Sequence, residues 1–249
     1  MDANLFNSLF FLLSGFLCYG GVLLFKWLFG RVGLYVWIGI MLIFANIEVT
    51  KTVEMFWFKE VTLGNASFGA VFLATSILQE EYGDKHGWRA LAIGFASVLT
   101  FVGLMQLVLI FKPADIDFSQ ESLVTIFTLS PRIKGVSLGC ALLANCFDVF
   151  IFAKLRKSWK GRFLGLRSFL SDIVPNVVEN FVFDFGAFLG VYTAAECFNL
   201  ALGGSVLELF CSVFAIPAIY LSRKIKPLHE FADIRSVESF EMQKGEMEK

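Results

Sequence analysis

The residues able to do chemistry in this chain stand inside apolar runs. Asp172, Asn176, Asn180 and Asp184 recur every four residues, and Glu179 lies three beyond Asn176, among Phe, Val, Ile and Leu. That spacing draws one polar stripe along a helix. Asn145 and Asp148, three apart, share a face in an earlier run that has no basic residue close in sequence. Thr75 and Gln79 share a face in another, and Glu48 can pair with Lys51 near Asn46. Glu208 stands in the last run, nine residues before Pro217. Structural alternatives remain open. These are an interfacial ion pair for Glu48 and Lys51, a helix–helix clamp for Asn145 and Asp148, and a helix running into a polar loop for Thr75 to Glu81.

Buried carboxylates persist where they face a cavity or a partner. A carboxylate accepts two parallel N–H bonds from a guanine-like edge, or pairs with an ammonium. Carboxamides offer both donor and acceptor, and aromatic faces stack on a base at about 1–3 kcal/mol each. Such a cavity suits a flat, nitrogen-rich molecule and fits an anion poorly. No Ser/His/Asp set, HExxH or phosphate-binding loop occurs, so no catalytic residue, metal or cofactor is expected. His86 and His229 lie outside the apolar runs and read as solvated loop residues.

The elements that must hold these residues are membrane helices. The chain is 57% hydrophobic and 17% charged, with 30 Phe, where a soluble domain is about a quarter charged. Runs long enough to span a bilayer fall near 5–25, 33–57, 62–80, 89–111, 134–153, 169–192 and 199–221. The third and sixth are the most polar. The links between them test this count through the positive-inside rule. Links one, three and five and the tail hold thirteen basic residues: Lys26, Arg31, Lys85, Arg89, the run Lys154, Arg156, Lys157, Lys160, Arg162 and Arg167, then Arg223, Lys224 and Lys226. Links two, four and six hold four: Lys59, Lys112, Arg132 and Lys134. Seven spans with the N-terminus outside and the C-terminus in the cytoplasm fit that asymmetry. The basic residues follow the loops, so they imply topology and no nucleic-acid partner. The five cysteines all lie in apolar runs, with no CxxC pair, and read as small buried hydrophobes. Gly186 and Gly190 fit close helix contact, within one chain or between copies in a homo-oligomer.

The segments LFGRVGLYVWI, ANIEVTKTVEMF, TLGNASFGAVFLATSILQEEYG, FDVFIFAKLRK, GRFLGLRSFLSD and PAIYL, across roughly 28–222, resemble the queuosine-precursor transporters, the vitamin-uptake-like family. The resemblance implies an all-α polytopic membrane protein. Its six-helix core (28–222) is similar to the substrate-binding subunits of energy-coupling-factor transporters. One additional N-terminal helix (1–27) makes seven, and a disordered cytoplasmic tail (223–249) follows. It implies a bacterial inner-membrane importer of 7-deazaguanine bases for tRNA modification, with a small molecule and the lipid bilayer as partners.

Asn46, Asn65, Thr75, Glu81 and Asp148 match positions the family fills likewise. Other positions depart. Ser76 stands where an Asp is usual, Pro175, Asn176, Glu179 and Asn180 replace Ser-Gln-x-x-Asp-Thr, and Glu208 replaces a common Lys. A more acidic cavity favours an amine-bearing base. The expected substrate site therefore comprises Asn46, Glu48, Asn65, Thr75, Gln79, Asn145, Asp148, Asn176, Glu179, Asn180 and Glu208. Asp148 and Glu179 are expected on the base edge, and Asn46, Asn145 and Asn176 around the ring. Glu48 or Glu208 is expected at the amine or in proton coupling. The alternatives are a binding subunit that needs a separate ATPase module, and a membrane-embedded enzyme, for which no nucleophile or metal set is present.

Overall fold

The computed structural model of the chain describes residues 2–128 and 131–228. The tail 229–249 with His229, and the side chains of Lys59, Arg132 and Lys134, lie outside the described residues. The elements run α1 (Ala3–Glu48), β1 (Thr52–Met55), β2 (Phe58–Thr62), α2 (Asn65–Tyr82), α3 (Asp84–Ile110), α4 (Gln120–Phe127), α5 (Pro131–Ser158), α6 (Leu164–Phe188) and α7 (Ala194–Ser222). The protein is thus predominantly helical. Among the described residues, α1, α3, α7 and the Val136–Ser158 part of α5 are long and apolar enough to cross a membrane. The more polar α2 and α6 are not among them.

The packing is inverted relative to a soluble protein. Lys26, Asp148 and Arg167 are at most 1% exposed, whereas Phe16 is 74% and Leu17 62% exposed. Large apolar faces of this extent need lipid, since water would penalise them.

α1 divides at Gly30, whose φ of +58° with ψ of −137° is open to glycine and strained for any side chain. The break turns the two apolar stretches of α1 into separate arms and buries Lys26 beside it.

The second apolar run ends earlier than expected. Its helix stops at Glu48, and 52–62 folds back as an antiparallel hairpin with Thr52 opposite Thr62 and Val53 opposite Val61. The physical reason is period two: Val53 and Met55 turn inward while Thr52 and Glu54 face out. Lys51 therefore lies past the helix end, and the expected Glu48–Lys51 helix-face pair gives way to a 2.5 Å hydrogen bond from Ser67 to Glu48. Between α3 and α4, Asp117 accepts from the backbone N–H and hydroxyl of Ser119, bonds that hold its carboxyl below the usual range.

One end of the bundle is held by charge. Glu80 of α2 accepts both Nη of Arg167 (α6) at 3.1 and 3.2 Å, and Arg223, just past α7, at 3.1 Å. Arg156 of α5 lies 3.6 Å from the same carboxylate and donates to the Gln79 carbonyl at 2.7 Å. Lys26 of α1 bridges Glu81 at 2.5 Å and the Ser222 carbonyl at 2.6 Å. So Glu80 and Glu81 do not simply run out into a loop. His86 also corrects its expectation: it sits in the first turn of α3 with the Tyr35 hydroxyl 2.5 Å from Nδ1.

Candidate functional site

At the opposite end from this charged cluster, α1, α2, α3, α5, α6 and α7 enclose a partly open cavity. It offers about 70 Å³ to the centres of water-sized molecules, several times the space one water requires.

Glu179, Asp184 and Glu208 line it, and no Lys, Arg or His does so among the described residues. Asn46, Asn65, Asn145 and Asn180, with Thr62 and Ser137, make the rest of the polar lining, and Phe68, Phe95 and Phe183 stand among the apolar walls.

The carboxamides share one geometry. Asn46 and Asn145 each donate from Nδ2 at 2.8 Å to the backbone carbonyl one turn earlier, Leu42 and Ala141. Asn180 donates to the Asn176 carbonyl at 3.0 Å and to Glu208 at 2.6 Å. Asn65 reaches the Gly204 carbonyl at 3.5 Å, and its Oδ1 has no hydrogen-bond partner. A backbone carbonyl can only accept, so these bonds orient each amide; Asn180 uses both its N–H groups, whereas Asn46 and Asn145 keep one N–H beside the oxygen. The cavity presents mostly acceptors, four amide oxygens and three carboxyls, beside the remaining N–H groups of Asn46 and Asn145 and the hydroxyls of Thr62 and Ser137. It fits a ligand rich in N–H groups, flat enough to lie against Phe.

The structure gathers Asn46, Asn65, Asn145, Glu179, Asn180 and Glu208 at this cavity. It places the other candidates elsewhere. Glu48 lines a separate recess with Phe11, Ser14 and Val53, because its carboxylate turns to Ser67. Thr75, Gln79, Asp148 and Asn176 are buried between α2, α5 and α6, deeper toward the charged end. There Gln79 donates to the Val149 carbonyl at 3.0 Å, which ties α2 to α5 at the level of Asp148.

Several lining residues were not among the candidates. Asp184 belongs to the polar stripe, one turn past Asn180, and that periodicity was sufficient signal. Ser137 follows the same rule, eight residues before Asn145 on its face. Nothing in the sequence separates Phe68, Phe95 and Phe183 from the other Phe residues.

The stripe on α6 is carried past Pro175, which lacks the N–H that would bond the Ser171 carbonyl. Gly204 of α7 lets that helix approach: an added Cβ there would lie 2.7 Å from Asn180 Oδ1. Of the glycine pair, Gly186 packs on α5, where a Cβ would meet Val136 at 2.9 Å, whereas Gly190 lies beyond α6 at a φ of +95°.

Residues 62–222 match the family described as "Putative vitamin uptake transporter". A curated protein of Bacillus subtilis (strain 168), named "Probable queuosine precursor transporter", is 36% identical over 227 residues, which are 91% of this chain and 99% of that protein. No solved structure matches the chain. The family match covers more than half of the sequence and the relative nearly all of it, so the chain belongs to the vitamin uptake transporter family, as a transporter and not an enzyme.

Proposed function

We propose that the chain imports a queuosine precursor base, queuine or a prequeuosine base, across a bacterial inner membrane for tRNA modification. The observation that carries this reading is a lining of carboxyls and carboxamides with no cation among the described residues. A 7-deazaguanine edge offers adjacent N–H donors that one carboxylate can accept together, and the ring can lie against phenylalanine. The name of the Bacillus subtilis relative supports the same substrate class. Glu179 and Asp184 on α6 would take the base edge, and Glu208, held by Asn180, an amine. Three acids with no facing cation favour an amine-bearing base over a neutral one.

The two arms of α1, with α2, α3, α5, α6 and α7, would make seven crossings: a six-helix core like that of the energy-coupling-factor subunits and one added N-terminal helix. The N-terminus would lie outside and the C-terminus in the cytoplasm. In support, Lys26, Arg156, Arg167 and Arg223, from the links with most basic residues, meet at one end. Asn7 bonds the hairpin at the Glu54 carbonyl, at the other.

The chain would act alone as an ion- or proton-coupled carrier. The test is uptake of labelled queuine by the purified protein in liposomes with no other protein present. Accumulation supports the reading. Binding without uptake unless an ATPase module is added favours the subunit alternative. No binding of any 7-deazaguanine base, read as an unchanged melting temperature, defeats both.

A further inference from the structure

We propose that Asp148 and Asp172 form a proton-binding pair, separate from the base cavity, whose one shared proton couples the transport cycle. The inference rests on the reading of the chain as a stand-alone carrier.

Both side chains are buried, at 0% and 2% exposure, and face each other across the α5–α6 seam. Neither oxygen of Asp148 has a partner at good hydrogen-bond geometry, and the one nearby hydroxyl, Ser171, lies 3.4 Å from Asp172 and donates to the Ser168 carbonyl at 3.0 Å. Two bare carboxylates in contact inside a low-dielectric bundle repel too strongly to persist. One proton held between them turns that repulsion into a carboxyl–carboxylate hydrogen bond.

A second observation points the same way. Ser76, Gln79, Ser168 and Asn176 each have a buried oxygen without a partner. Ser168, Asp172 and Asn176 are successive fourth residues on one face of α6. The Glu80–Arg167 bond sets the register of α2 against α6, which brings Ser76, one turn before Glu80, level with Ser171. Pro175 adds the Ser171 carbonyl to this oxygen-rich surround. The Ser76 and Ser168 hydroxyls can both accept and donate, as a proton relay requires, and the amide oxygens of Gln79 and Asn176 can accept from a protonated carboxyl.

The charged and titratable groups around the pair do not neutralise it. From α1, Tyr19 faces Asp172 but donates its hydroxyl to the Cys211 carbonyl of α7 at 3.0 Å. From α2, Glu80 is held by Arg156 of α5, Arg167 of α6 and Arg223 after α7. Lys26 of α1 is held by Glu81. Glu179 and Glu208 lie in the cavity. At 1.5 Å per residue, Asp172 is about 8 Å along α6 from Arg167 and about 10 Å short of Glu179. Asn176 stands between Asp172 and the cavity. The pair thus lies between the bound base and the charged end, where a coupling group must be.

The experiment uses the full chain in proteoliposomes with labelled queuine. Exchange against internal unlabelled queuine is measured without a gradient, and net uptake is measured under an inward proton gradient and, separately, a sodium gradient. The wild type should exchange, and should accumulate under the proton gradient alone. Asp172→Asn should still exchange while its proton-driven accumulation falls about tenfold, within the usual span of coupling factors. Full proton-driven accumulation by Asp172→Asn, or accumulation by the wild type under sodium alone, overturns the proposal. A wild type that exchanges no 7-deazaguanine base refutes the proposed function instead. The pair is then judged by infrared spectroscopy of the Asp184→Asn protein labelled with ¹³C-aspartate, which also serves if Asp172→Asn does not fold. A protonated-aspartate carbonyl band at neutral pH supports the pair, and its absence overturns it.

Discussion

Glu179 and Glu208 face a ligand, whereas Glu80 faces arginines, and the two kinds of acid should respond differently to loss of charge. Glu179→Gln and Glu208→Gln keep size and shape and remove the acceptor charge. Each should lower queuine uptake about tenfold or more, the worth of a hydrogen bond to a charged group, while the protein stays in the membrane. Uptake and membrane content measured together check this. Glu80→Gln strands Arg167, which is fully buried, and breaking a buried pair costs about 3–5 kcal/mol. Its signature is a lower melting temperature in detergent. Gly204→Ala should push Asn180 off Glu208, because the new Cβ would sit 2.7 Å from Asn180 Oδ1. Base affinity should fall about tenfold with the fold intact, as equilibrium binding would show.

At this scale the sequence was half legible. The polar stripe pointed to Asn180, with Glu179 beside it, because period and polarity coincide on α6, and the same period continues to Asp184, which the expected site left out. Periodicity names a face, however, not a depth. Asp148 and Asn176 share faces with cavity residues but lie nearer the charged end, and only the register of α2 against α6 reveals that. The partner that Glu48 takes in place of Lys51, Ser67, belongs to another helix, so spacing along α1 does not reveal it.

The helices followed from hydropathy, since an apolar run that must satisfy its own backbone in lipid has few other options. The hairpin was hidden because Val53, Met55, Phe58 and Val61 also prolong the apolar run. The alternation of Thr52, Val53, Glu54 and Met55 was the available sign. The hairpin has a packing role: Met55 and Val61 are buried at 0% and 1% exposure, and Gly203 of α7 lies against Val61, where a Cβ would stand 3.0 Å from Cγ1. Met55→Ala should therefore destabilise by about 2–5 kcal/mol, as buried Met truncations do. A thermal unfolding series on the purified protein measures it. Thr62 and Leu63, where the hairpin rejoins the helices, line the cavity, so the same variant should also weaken base binding.

Across the whole molecule, substrate groups gather at one end and ion pairs at the other, with a carboxyl pair between. The distribution of basic residues among the links anticipated the charged end, because Lys26, Arg156 and Arg223 come from links of one parity. It could not show that three arginines meet on a single carboxylate, since that depends on how four elements dock. The docking has a kinetic consequence. Glu80 is a shared acceptor for guanidinium groups from α5, α6 and the exit of α7, so a departure of α2 strands all three at once, whereas the loss of one arginine leaves the other two paired. α2 is thus the pin of that end: the half-exposed Arg223 can let go alone, but opening at α2 has to release the buried Arg167 as well.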